Sequence, residues 1–238
     1  MPAMGPRGAY PWRTRAGGRA MKKAMLLYEL HPALVHMPLA LLPTAAVADL
    51  ISVTTGDGTW ARVARRIWVA GSIGGLLAGV SGLAASQEVR LETPRARDMT
   101  FLHGVGNASV LLGALGVTVW RLRREPSAAT VALGLGACGL ALCTAALGGK
   151  MVYELGVGQP ASMSNANAPA LLSRDAPLLL VRDALRGAQW LVTRAREVLV
   201  GGRPLAKGAA GTTPEDESLT LPSPVAVFHG PGRPMPQA

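Results

Sequence analysis

Cysteine is almost absent: among 238 residues there are only Cys138 and Cys143. They lie five positions apart inside one apolar run, too distant along a helix to bridge, so a disulfide framework is excluded and both read as small packing residues. The motifs of several common chemistries are missing too. There is no Walker loop, no Cys-x-x-Cys-His haem-attachment sequence, no zinc-ligand cysteine pattern and no nucleophile elbow. These absences argue against a hydrolase or a nucleotide-using enzyme. Acidic residues are few, 14 against 24 Lys and Arg, giving a formal charge of +10. The most informative shortage is local, because charge nearly vanishes from about Ala33 to Val53, Ile67 to Gln87, Phe101 to Trp120 and Ala128 to Gly149. Each run is ~20 residues long, the length at which a helix rising ~1.5 Å per residue crosses a ~30 Å hydrocarbon layer. Positive charge flanks the runs, which fits membrane-anchoring loops and speaks against a nucleic-acid footprint.

The fold predicted from this pattern is all-α: a four-helix antiparallel transmembrane bundle plus a C-terminal amphipathic helix and disordered termini. The loops Thr54 to Arg66, Glu88 to Thr100 and Arg121 to Ser127 are short, so successive helices must be antiparallel neighbours. Residues 1–27 form a basic arm rich in Gly and Pro, read as disordered, and residues 28–158 form the transmembrane domain. Residues 159–175 are a linker. In 176–200, Leu178, Val181, Leu185, Ala188, Val192, Ala195 and Leu199 alternate spacings of three and four, the apolar stripe of a helix. Asp175 with Pro177 starts it and Gly201-Gly202 ends it. Its arginines and Trp190 suit an anionic membrane surface, while docking on the bundle or on a partner fits the same stripe. Residues 201–238, with Glu215-Asp216-Glu217, read as a disordered tail. Ala46-Val47-Ala48 before Asp49 matches a small-x-small cleavage site, but Glu29, His31 and His36 interrupt the would-be signal peptide.

Within the second run Gly71, Gly75 and Gly79 recur at every fourth position and Gly82 continues the stripe. A small-residue face lets another helix backbone approach closely, so this helix is expected at the centre. Pro38 and Pro43 each remove a hydrogen bond from the first helix and free the carbonyls of Leu34 and Leu39, so that helix should bend near its start. Call the surface where it starts side A. His31 and His36 open the first helix there, and His103 and Asn107 open the third on one face. An ionisable group as deep as His36 is expected to face the bundle interior. Two imidazoles on separate helices, His36 and His103, can ligate a haem b iron, with His31 and Asn107 beside them. Alternatively His31, His36 and His103 hold a transition metal or handle protons. The plain structural alternative is that the histidines hydrogen-bond the carbonyls that proline frees. At the other end of the domain, Gly148-Gly149 would end the fourth helix. Lys150 would snorkel, Tyr153 would sit at the membrane interface, and Gly156 and Gly158 would turn the strip back over the bundle.

The His-Pro-x-x-Val-His-x-Pro-Leu-Ala-Leu opening, Asp49, Ser81-Gly82-Leu83, His103 with Asn107, and the closing Gly-Gly-x-x-Val-Tyr-x-x-Gly-Val-Gly together resemble a bacterial family of predicted four-helix membrane proteins of unknown function. The resemblance covers roughly residues 28 to 158. Met37 stands where that family usually has Phe, which removes an aromatic neighbour of His36. Members are sometimes found near or fused to cytochrome-like modules, so the resemblance implies redox use, with cytochromes as partners. It also implies a multi-pass protein of the bacterial inner membrane.

Side A receives ten Lys and Arg, from Arg7 through Lys23, Arg90, Arg95, Arg97 and Lys150, against six on side B, from Arg62, Arg65, Arg66, Arg121, Arg123 and Arg124. The positive-inside rule then puts both termini on the cytoplasmic side. Two functions follow from different classes: electron transfer through a haem on His36 and His103, or a non-catalytic structural or assembly subunit of a larger membrane complex. In the second, docking would use the Gly71-Gly75-Gly79 face and the Leu178 to Leu199 helix. The partners expected are the lipid bilayer and other membrane subunits, not nucleic acid.

Overall fold

Three of the helices start from polar caps placed outside the apolar runs. Asp57 accepts from the Thr59 N–H at 2.7 Å, Thr93 from the Ala96 N–H at 3.1 Å, and Ser127 and Thr130 cap each other reciprocally. The Thr59 amide also holds the Asp57 carboxyl below its ordinary range. In the computed structural model, which describes residues 27–159 and 173–210, these caps open helices longer than the runs. The elements are α1 (Leu27–Leu34), α2 (His36–Thr55), α3 (Gly58–Ala85), α4 (Pro94–Arg123), α5 (Ala128–Tyr153) and α6 (Ala176–Leu199). The arm up to residue 26, most of the linker and the tail from 211 lie outside the described residues.

α1 and α2 make one candidate span, Glu29–Thr55, and α3, α4 and α5 make three more. The expected irregularity in the first span falls at Val35. Pro38 has no N–H for the Leu34 carbonyl, and the chain bridges the gap with Val35 N–H to His31 and Leu39 N–H to Val35. The spans run antiparallel. His31 meets Ala78, Gly71 meets Leu42 and Asp49 meets Trp68, so α3 descends as the first span rises. Ser72 with Thr118 and Gly75 with Leu111 set α4 against α3, and His103 with Thr144 sets α5 against α4.

α3 is central, packed by α1, α2, α4 and α6, while α5 closes the ring between α4 and α2. One core surrounds Trp68 with Leu42, Ala45, Ala46, Ala64, Val110, Ala114 and Val117. Small residues dominate because in lipid only close packing and interhelical hydrogen bonds hold spans together. A second core at side A joins Ala96, Met99, Met151 and Val157 to Ala209, with Leu205 packed on it. The first residues after α6, 201–210, lie against this core, with Arg95 donating to the Gly208 carbonyl and Asp98 accepting from the Ala206 N–H. Gly148-Gly149 does not end α5. The helix runs on to Tyr153, and the chain turns at Gly156 and Gly158, whose positive φ of 65° and 81° suits glycine.

Candidate functional site

Two polar networks occupy opposite ends of the bundle. Toward side B, a lone acid in an apolar span needs a partner at its own depth. Asp49 on α2 is 0% exposed and Arg121 on α4 is 1% exposed. Arg121 Nε donates to both Asp49 oxygens at 3.0 and 3.1 Å, and Trp68 Nε1 on α3 donates to Asp49 Oδ2 at 2.8 Å. The rest of the guanidinium donates to the Ala61 carbonyl at 2.9 Å and to the Arg124 carbonyl. Thr118 donates to the Trp68 carbonyl at 3.2 Å and lies 2.8 Å from the Ser72 hydroxyl. The indole edge lies over Gly134 of α5. Every nitrogen of the guanidinium thus has an acceptor, and the pair ties α2, α3 and α4 together. Sequence reasoning placed Asp49 correctly in depth but counted Arg121 as a loop cation. A solitary carboxylate near a span's end, with an arginine one residue past the end of the Phe101 run, was the available signal.

Toward side A, His103 Nδ1 is 2.9 Å from the Thr144 carbonyl on α5. A carbonyl only accepts, so Nδ1 carries the proton and Nε2 accepts from Asn107 Nδ2 at 3.0 Å. Thr144 in turn donates to Asn107 Oδ1 at 3.1 Å. The ring lies against Gly148, where a Cβ would come within 2.8 Å of it. His31 on α1 donates from Nδ1 to the Ala78 carbonyl at 2.9 Å, which Ser81 also reaches at 3.0 Å, and its ring fills the space over Gly82. The interior histidine of the first span is thus His31. His36, expected to face the interior, is exposed. The break at Val35 accompanies this exchange of faces.

Haem held by His36 and His103 does not fit this arrangement. His103 has both ring nitrogens engaged by Thr144 and Asn107, and His36 is turned outward. The metal alternative on His31, His36 and His103 fares no better: among the described residues no group of three or more His, Cys, Asp or Glu is placed to hold an ion. Two grooves, lined by Ser86, Gln87, Val89, Leu91 and Trp190 and by Pro94, Arg97, Asp98, Arg194 and neighbours, contain no histidine.

The glycine face is used internally. Gly71 admits Leu42, Gly75 and Gly79 admit Leu111, and Gly82 admits His31, so this face is not available for docking a partner. Gly136 and Gly139 of α5 face open space instead. Tyr153 is 87% exposed in the last turn of α5, Lys150 precedes it by three residues, and Trp190 is half-buried beside the loop after α3. Arg194 of α6 joins Asp98 at 2.8 Å and Glu197 at 3.1 Å. Burial opposes its charge, but these carboxylates outweigh that and hold the guanidinium above its ordinary value. Neither Arg194 nor Asp98 was singled out as a pair from the sequence, since 96 positions separate them.

Four long apolar antiparallel helices, pinned by a buried polar network toward side B and a half-buried one toward side A, define an integral membrane protein of the four-helix class. Residues 28–161 match the family described as predicted membrane protein (DUF2231), and the chain belongs to that family. Comparison with curated proteins and with solved structures gives no match.

Proposed function

We propose that this chain is a non-catalytic structural subunit of a larger assembly in the bacterial inner membrane, with side A cytoplasmic. The observation that carries the reading is that the buried polar groups of the spans are spent on one another. Asp49, Arg121 and Trp68 saturate one end, and His103, Asn107 and Thr144 saturate the other, so the side chains best suited to chemistry act as helix-to-helix ties. The span best placed to meet a neighbour is α5, which packs on α4 and α2 and leaves Gly136 and Gly139 uncovered for a helix backbone to approach. The test is purification of the full chain from native membranes in a mild detergent. A stoichiometric assembly of membrane subunits without a Soret band is expected. A chain that runs alone, or a Soret band abolished by both His36→Ala and His103→Ala, overturns the reading.

A further inference from the structure

The apolar stripe read from the sequence of α6 is not the face that docks it. Gly187 sits against the Leu83 backbone, where a Cβ would collide with the carbonyl oxygen, and Leu191 fills the space over Gly104 of α4. Ala184, Gly187 and Arg194 are the buried positions of this contact. At 3.6 residues per turn Ala184, Gly187, Leu191 and Arg194 span an arc of about 80°. The stripe itself remains open, with Leu178 73%, Leu185 67% and Leu199 82% exposed and Val181 and Val192 beside them. Those five side chains fill the next arc, about 60° wide on the same geometry. Beyond them come Arg196, Arg182 and Arg186, in an arc of about 80°. Both Arg182 and Arg186 lean on the single carboxylate of Asp183, at 2.9 and 3.4 Å, which leaves the row with surplus positive charge.

The order around the helix is therefore docked face, apolar face, arginine face. The apolar arc adjoins the side of α6 that touches α3, a span whose Leu76, Leu77 and Val80 are themselves exposed. A stripe continuous with that belt is at home among acyl chains, and the arginines on its far edge then stand at headgroup height. We propose that α6 lies in the membrane–water interface at side A and binds the headgroups of anionic lipids through Arg182, Arg186 and Arg196, with Leu178, Val181, Leu185, Val192 and Leu199 immersed in the acyl region. The charge on the row selects the occupant, because a neutral lipid or an apolar protein surface would leave it unmatched.

The experiment uses the full chain, with Cys138 and Cys143 replaced by Ser, reconstituted in nanodiscs of phosphatidylcholine with or without phosphatidylglycerol. Spin labels go on Leu185→Cys and, separately, on Arg186→Cys. The Leu185 label should collide preferentially with oxygen and the Arg186 label with a water-soluble nickel chelate. Equal nickel access at both positions would place the helix in water, and a Leu185 label shielded from both reagents would mean that a protein, such as a second copy, covers the stripe; either overturns the proposal. The charge half is read from lipid retained on purification. Arg182→Gln, Arg186→Gln and Arg196→Gln together should lower the preference for phosphatidylglycerol over phosphatidylcholine by at least roughly fivefold, about what one arginine contributes at an anionic surface. The thermal transition should be unchanged, since all three side chains are exposed. An unchanged lipid preference would remove the headgroup assignment.

Discussion

The two ends of the bundle solve one problem with different chemistry. Toward side B the ties are ionic: a carboxylate and a guanidinium, both withdrawn from solvent, are satisfied only by each other, an indole and two carbonyls. At side A the ties inside the spans are neutral: imidazoles, an amide and a hydroxyl bond to one another and to the carbonyls of Ala78 and Thr144, while the ion pairs there, Arg194 with Asp98 and Arg95 with Glu154, join α6 and the end of α5 to the first turns of α4. The contrast teaches where each tie is fragile. A neutral network that loses a member leaves polar atoms short of one bond, at a cost of about 1–3 kcal/mol. A buried ion pair that loses a member leaves a naked charge, at about 3–5 kcal/mol.

The largest expected effect is accordingly at side B. Asp49→Leu should destabilise the folded bundle by about 3–5 kcal/mol, because Arg121 remains buried without its counter-ion. Adding Arg121→Leu should restore at least half of that loss, since an apolar pair has no charge to strand, although the Ala61 and Arg124 carbonyls lose a donor. A double-mutant cycle on unfolding in detergent measures this. Simple additivity of the two single losses would show that the pair is not the tie the geometry describes.

The degree to which each end was legible in the sequence follows from the same contrast. The four spans, their antiparallel order and the central place of α3 were visible because charge depletion and glycine spacing are local signals. The closing turn at Gly156 and Gly158 was visible for the same reason. His103 with Asn107 was legible as a pair because four residues bring them to one helix face. What was hidden depends on depth and rotation. Arg121 sits just past its apolar run, where a loop cation and a snorkelling inward arginine read alike. The exchange of His36 for His31 turns on the interruption at Val35, which the prolines announced without giving its angular consequence. The face of α6 that docks is marked by Ala184 and Gly187, small residues that contribute little to an apolar stripe, so the docked face left no signal beside the larger leucines.

A smaller loss is expected where α6 meets the side A end. Gly187→Ala directs a Cβ into the Leu83 carbonyl oxygen, and backbone cannot swing aside as a side-chain tip can. Displacement of the helix should cost about 1–3 kcal/mol and speed amide exchange throughout α6 while the spans stay protected. Exchange that rises equally in α2, toward side B, would mean that the two ends are not independent. Below this comes His103→Ala, expected to cost about 1–2 kcal/mol as the Thr144 carbonyl and the Asn107 amide each lose a partner. Asn107→Ala should cost a similar amount, and the two losses together should be less than their sum, because both act on one network.

The smallest effect separates the two histidines of the first span. His36 is exposed, so His36→Ala should change unfolding in detergent by less than about 0.5 kcal/mol. His31→Ala leaves an empty space over Gly82 and withdraws a donor from the Ala78 carbonyl, so its cost should match that of His103→Ala at about 1–2 kcal/mol. The decisive quantity is the coupling of each with His103→Ala. Since His31 ties α1 to α3 and His103 ties α4 to α5 at the same end of one bundle, their double variant should depart from additivity by about 0.5 kcal/mol or more, whereas His36→Ala should simply add. A coupling found for His36 and absent for His31 would reverse the assignment of the interior histidine, reopen His36 as a ligand and make side A a binding site in place of a neutral tie.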